Sequence, residues 1–205
     1  MPFAPGSRVV ALGESSTADR LSWFEILRHL LALHRPGDEI SCTNLAVAGA
    51  TTTQVLGGSG SWGFLRPDWV LCQLGANDAQ RLGREGERVV SAAETARNVE
   101  LLRGQARDSR WVWLTPTAVD EQLLAEFAPF RMSGISWRVK DHEETAAALL
   151  ERPEATIDTL AVTRPTPEQS LFEPDGVHLT LAGQVAVVRV ALAGLSGLHL
   201  RSVLS

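Results

Sequence analysis

The chain has 205 residues, 44% of them hydrophobic and 21% charged, with a formal net charge of −5. That size fits one α/β domain and is tight for two, and such a domain buries roughly 70% of its unfolded surface, enough to fold without a disulfide or a metal. The 19 basic residues include a single lysine, Lys140, and form no run or stripe, which argues against a nucleic-acid partner.

The N-terminus, Met1 to Gly6, has no basic region followed by an apolar core, so it does not read as a secretory signal, and a cytoplasmic protein is expected. Apolar, strand-like runs then alternate with helix-length segments. Strands are expected at Arg8–Leu12, Glu39–Val47, Trp69–Leu74 and Arg110–Thr115, with a weaker one at Thr156–Val162. Runs with so little polar alternation suit strands covered on both faces. Helical patterns occupy Ala18–His34, where Leu21, Phe24, Ile26, Leu27, Leu30, Leu31 and Leu33 form a stripe, and then Glu87–Arg107, Arg138–Leu150 and Thr180–Leu195. This alternation predicts a parallel sheet between helices, with sites outside the carboxyl ends of its strands. Cys42 and Cys72 fall in strand-like runs and read as two buried thiols. The most apolar stretch, Val185–Leu198, contains Arg189 and is shorter than a membrane span, so no span is expected. One domain over residues 1–205 accounts for the pattern; oligomeric state is not legible.

Four polar motifs punctuate this frame. Gly13-Glu14-Ser15-Ser16-Thr17 joins the first strand to a helix. Ser15 there is either an exposed hydroxyl beside a helix N-terminus or one of several residues fit merely to cap it. Ala46-Val47-Ala48-Gly49-Ala50-Thr51 follows the second strand, where Gly49 can present an unobstructed N–H; a post-strand glycine alone says little. Leu74-Gly75-Ala76-Asn77-Asp78 ends the third, and its Asn77 amide is either an anion donor or part of an Asx turn. Asp175-Gly176-Val177-His178 precedes the last helix, with Thr180 as its expected N-cap. A carboxylate three residues before an imidazole can hold Nδ1–H and leave Nε2 to take a proton, although a lone histidine in a loop can also be incidental. Together the four supply a nucleophile, an oriented base and oxyanion donors.

In these blocks the sequence resembles the SGNH hydrolases, the GDSL esterase/lipase superfamily, whose Ser, Gly, Asn and His are matched in order by Ser15, Gly49, Asn77 and His178. The likeness runs from about Val9 to Leu192. It implies a three-layer α/β/α sandwich of flavodoxin-like type with a five-stranded parallel sheet. It also implies a Ser15–His178–Asp175 triad and an oxyanion hole made by the Ser15 and Gly49 N–H groups and the Asn77 amide. The activity implied is hydrolysis of a small-molecule carboxylic ester, a small acyl or acetyl ester, through an acyl-serine, with no metal or organic cofactor. Transfer of the acyl group to a metabolite alcohol or amine, or a non-catalytic binding module, are the competing readings. Two departures stand out: Glu14 replaces the family's usual Asp, keeping the charge but moving the carboxylate, and Leu179 stands where Pro often follows the histidine.

Other patterns carry less. Gly58-Ser59-Gly60-Ser61-Trp62-Gly63 fits G-x-G-x-x-G but neither directly follows a strand nor leads into a long helix. Asp141-His142-Glu143-Glu144 reads as acidic residues near a helix start rather than metal ligands. Of the six tryptophans, Trp62 and Trp137 are candidates to line an acyl or alcohol pocket, and Ala128–Trp137 is the segment expected to set specificity.

Overall fold

The computed structural model describes residues 1–58, 62–83, 86–166 and 170–203. In chain order its elements are β1 (Arg8–Gly13), α1 (Ser15–Ala18), α2 (Trp23–His34), β2 (Ser41–Asn44), α3 (Thr52–Gly57), β3 (Trp69–Gln73), β4 (Arg81–Leu82), α4 (Ala92–Gln105), β5 (Arg110–Leu114), α5 (Glu121–Glu126), α6 (Ala128–Ser133), β6 (Ile135–Ser136), α7 (Val139–Leu150), β7 (Ala155–Ile157), α8 (Thr159–Thr163) and α9 (Leu181–Val203).

Strand alternation builds the layers. In β1, Val9 and Ala11 point to one face and Val10 and Leu12 to the other, all at most 1% exposed. The first pair joins Leu71, Val112 and Leu114 under Trp23, Phe24, Leu27 and Leu31 of α2, Leu160 of α8 and Val187, Val188, Ala191 and Leu195 of α9. The second joins Val70, Cys72, Trp111 and Trp113 under Val99 and Leu102 of α4 and Leu149 of α7. Between these layers lies a parallel sheet in the order β2-β1-β3-β5-β7. Counted along the chain, this is the flavodoxin-like order of an α/β/α sandwich, as expected. A separate antiparallel pair, β4 with β6, stands apart from the sheet.

Several expected boundaries move, each for a local reason. The run Ala18–His34 is two helices. Asp19 ends the first and accepts the Leu21 N–H at 2.7 Å, and the Ser22 hydroxyl caps α2 by accepting Glu25 N–H at 3.2 Å. Leu21 and Leu33 of the predicted stripe are consequently exposed, while Trp23 is buried. The run Thr156–Val162 is a three-residue strand followed by α8, whose start is set by the Asp158 carboxylate accepting Ala161 N–H at 3.0 Å. The run Glu39–Val47 shortens to β2, an edge strand, which is why Cys42 is only half-buried while Cys72 of central β3 is buried; both thiols are free. The last helix extends to Val203, and its Leu181–Leu198 segment, at a mean hydropathy of 1.6, is long and apolar enough to cross a membrane, contrary to the expectation from the shorter run. In this fold the same helix lies on the sheet with Val187, Val188, Ala191 and Leu195 buried. The Gly58–Gly63 pattern falls partly outside the described residues, and Trp62–Leu65 is a single 3-10 turn.

Because Leu71 is wholly buried at the centre of the sheet and Leu33 is 72% exposed, their truncations separate core from surface. Leu71→Ala should lower unfolding free energy by about 2–5 kcal/mol and Leu33→Ala by less than about 0.5 kcal/mol, read from urea denaturation.

Candidate active site

The edge at the carboxyl ends of the strands begins with Gly13, the last residue of β1. A Cβ here would stand 2.6 Å from the Thr17 side chain, so only glycine lets α1 fold back so tightly over its own strand. Ser15 opens α1, half-buried. The Glu14 carbonyl accepts the N–H groups of Thr17 (3.0 Å) and Ala18 (2.9 Å), and the Ser15 N–H, in the first turn, has no acceptor within the helix.

Beneath Ser15 is a buried polar floor. The Gln73 side-chain oxygen accepts from Thr17 Oγ1 at 3.1 Å and from Trp23 Nε1 at 2.7 Å. Its Nε2 donates to the Thr115 carbonyl at 3.3 Å and to Thr159 Oγ1 at 3.2 Å. From α9, Gln184 Nε2 donates to the Ser16 carbonyl at 3.1 Å while its oxygen accepts Trp23 N–H at 2.9 Å.

The Asp175–His178 turn sits between Phe172 and Leu179, which form a β-bridge. Asp175 Oδ1 accepts Val177 N–H (2.8 Å) and His178 N–H (2.9 Å), and Oδ2 accepts the His178 Nδ1–H at 2.6 Å. The tautomer is thereby fixed with Nε2 outward on an exposed ring. The Asp175 bond raises the His178 pKa above its ordinary value against partial burial, with Asp19 and Glu173 adding to the rise. For Asp175, burial is outweighed by the bonds from His178 and Val177, and its pKa is lowered. Thr180 caps α9 as expected, accepting Gly183 N–H at 3.2 Å.

The loop that carries Gly49 meets Asn77 across one contact. Leu45 N–H and Val47 N–H donate to Ala11 and Gly13 carbonyls, so the loop after β2 keeps tracking β1 as far as the Ser15 turn. Gly49 is exposed at φ +78°, with open space where a Cβ would stand, so the left-handed backbone rather than crowding calls for glycine. Asn77 Nδ2 donates to the Ala50 carbonyl at 3.1 Å. Next to it, Asp78 accepts Thr52 N–H (2.7 Å), Thr52 Oγ1 (2.5 Å) and Thr95 Oγ1 (2.7 Å), pinning α3 and α4 to the same turn.

Glu14, by contrast, is enclosed. It is 2% exposed; burial pushes its carboxyl up to about 8, the bond from Asn77 N–H lowers it, and the Asp78 charge raises it further.

The structure thus joins Asp175 to His178 and Asn77 to the Gly49 loop. Among the described residues no hydrogen bond links the Ser15 hydroxyl to His178; bonds of this kind commonly tighten only around substrate. The links between the two segments are indirect: Gln184 of α9 holds the Ser16 carbonyl, and the Asp19 charge, just past α1, raises the His178 pKa. Trp62 is buried edge-on to Trp111 and lines, with Val47 and Gly49, a cavity of about 420 Å³. Trp137 lines another of about 500 Å³ with Leu124 and Phe130, and its Nε1 donates to the Ala76 carbonyl at 3.0 Å. Sequence reasoning passed over Gln73 and Gln184; a glutamine inside a continuous apolar run was the available signal, since such a residue is buried only with partners.

The GDSL-like Lipase/Acylhydrolase family model matches residues 11–186. No curated protein matches the chain by sequence. Among solved structures it resembles LAE5, an alpha/beta hydrolase enzyme from the metagenome of Lake Arreo, Spain, at 20% identity and a TM-score of 0.71, over 96% of this chain and 98% of that one. It also resembles Axe2, an acetylxylan esterase from Geobacillus stearothermophilus, at 18% identity and a TM-score of 0.71, over 95% and 96%. Catalytic mutants of Axe2 with similar folds replace a serine, an aspartate, or a histidine three positions after that aspartate. The chain belongs to the GDSL-like lipase/acylhydrolase family and is a carboxylic ester hydrolase.

Proposed function

We propose that this hydrolase works through an acyl-serine intermediate on Ser15, with His178 as base, Asp175 as its orienting carboxylate, and Gly49, Asn77 and the Ser15 N–H as oxyanion donors. The observation that carries the reading is the 2.6 Å Asp175–His178 bond, which leaves Nε2 as the only ring nitrogen able to accept a proton. Nε2 takes the Ser15 Oγ proton as Oγ attacks the ester carbonyl, and Asp175 stabilises the imidazolium so formed. The three donors face the charge that develops on the carbonyl oxygen. His178 then protonates the departing alkoxide, and water, activated by the same nitrogen, releases the acid. The acyl group is small, such as acetyl; the likeness in fold to an acetylxylan esterase supports this, as does the modest size of the cavity beside Gly49.

Ser15→Ala should abolish turnover of a p-nitrophenyl acetate substrate and covalent labelling by a fluorophosphonate, whereas residual labelling at full rate would remove Ser15 from its role. Asn77→Ala should lower kcat by about 10²–10³ with little change in KM, read by steady-state kinetics. Asp175→Asn should lower kcat on the order of 10⁴ through the wrong tautomer.

The pH behaviour has a definite sign. His178 is raised and must be neutral to act, so kcat/KM should climb through a pKa above 6.5. Asp175→Ala should bring the His178 pKa, followed by NMR, back down toward 6.5. The pair's contribution to stability is fully present between the two pKa windows. It fades as pH rises through the His178 value and as it falls through the lowered Asp175 value.

A further inference from the structure

Glu14 lies next to the proposed nucleophile yet turns away from it. Its two carboxyl oxygens accept from successive backbone N–H groups of another block: Oε1 from Ala76 at 3.1 Å and Oε2 from Asn77 at 3.0 Å. One side chain on the β1–α1 turn therefore holds two successive peptide groups leading into Asn77, which fixes the position and tilt of that turn. The Asn77 amide itself lies close enough to this carboxyl to lower its pKa. The same amide donates to Ala50 O at 3.1 Å, so the Asn77 side chain is set between Glu14 below and the Gly49–Ala50 loop beside it.

We propose that Glu14 is a positioning residue of the oxyanion hole: its ionised carboxyl, by accepting the Ala76 and Asn77 N–H groups together, holds the Asn77 amide where the anion forms. This rests on the reading of Ser15 and Asn77 given above. Two parallel N–H donors suit an acceptor with two equivalent oxygens. A neutral carboxyl or an amide turns a hydrogen toward one of them and loses that bond. The charged or titratable groups acting on Glu14 are Asp78 on the same turn and the Cys72 thiol on β3; His142 of α7 lies against the Ala76 carbonyl, and from α3 and α4 the uncharged Thr52 and Thr95 reach this turn. No cation among them offsets the cost of burial, so the ionised form is reached only as pH rises past about 8.

The test compares kcat of wild type, Glu14→Gln, Glu14→Asp, Asn77→Ala and the Glu14→Gln/Asn77→Ala double variant on p-nitrophenyl acetate from pH 6 to 10. The wild-type to Glu14→Gln ratio cancels the His178 ionisation common to both. It should be near one at pH 6 and rise to about 10–100 at pH 9, with KM unchanged. Glu14→Asp, which restores a carboxylate, should recover kcat to within several-fold of wild type. In the Asn77→Ala background Glu14→Gln should cost less than about three-fold, because the group it acts through is gone. A ratio that stays near one across this range, or full additivity in the double variant, overturns the proposal. Should Glu14→Gln not fold, a Glu14→Asp enzyme whose kcat at pH 9 falls as far as that of Asn77→Ala overturns it too. If instead Ser15→Ala retains turnover or Asn77→Ala is as fast as wild type, it is the underlying reading that fails.

Discussion

Four hydrogen bonds on one buried amide fix the ground on which the site stands. Gln73, at the carboxyl end of the central strand β3, uses both acceptor sites of its oxygen, for Thr17 and Trp23, and both hydrogens of its nitrogen, for Thr115 and Thr159. An amide saturated in this way has one orientation, because a flip would set its NH2 against the Trp23 indole N–H. Through these partners it registers α1, α2, α8 and the segment just past β5 against β3. The Thr115 hydroxyl extends the network, accepting the Thr159 and Leu160 N–H groups at 2.9 and 3.0 Å. A fully satisfied buried network of this kind specifies one arrangement, whereas the apolar layers on either side tolerate many residues of similar volume. The position of Ser15 is therefore an outcome of polar saturation below it more than of hydrophobic packing around it.

Above that floor the order is made by carboxylates. A parallel sheet ends with loops whose N–H groups the ladder does not use, and each such group needs an acceptor if it is buried. Asp175 takes two of them in the histidine turn, Glu14 two in the Asn77 turn, and Asp78 one at the start of α3, together with two hydroxyls. These acceptors differ in how much water they see. Asp175 is half-buried and stays ionised, so it can serve an imidazolium, whereas Glu14 is enclosed and resists ionisation. One chemical group thus does different work at two points of one edge, and solvent access is what separates them.

The strands were legible because continuous apolar runs are costly anywhere but between two layers. The four polar blocks were legible because they interrupt those runs at regular places. What the sequence hid follows from the same logic. The split of Ala18–His34 turns on Asp19 and Ser22, polar residues that fit a helix face as well as a cap. The division of Thr156–Val162 depends on Asp158 capping α8, a single bond against a run of β-branched residues. Glu14 read simply as a charge-conserving change because its partners in the Asn77 turn lie some sixty residues away. Gln73 and Gln184 read as interruptions of apolar segments, and their side-chain partners lie on α1, α2 and α8 and just past β5. The residues that touch the reaction are few and fixed in type, whereas those that place them are defined only by who their neighbours turn out to be.

The acidic run at the start of α7 shows this most plainly. Asp141 accepts from Arg81 at 2.6 and 2.9 Å and from Arg88 at 2.7 Å, and Arg88 also pairs with Glu144. Arg81 belongs to β4, which pairs with β6, and β6 runs straight into Trp137, the indole bonded to the Ala76 carbonyl. With Asp141 only 3% exposed, losing it would strand two guanidinium groups in a partly buried place, a far larger penalty than losing a surface pair. The cluster is therefore a latch: it holds the small β4–β6 sheet, and with it the aromatic wall formed by Phe130 and Trp137, against the back of the turn that carries Asn77. The wall of a cavity and the back of the Asn77 turn are in this way tied together through one buried charge.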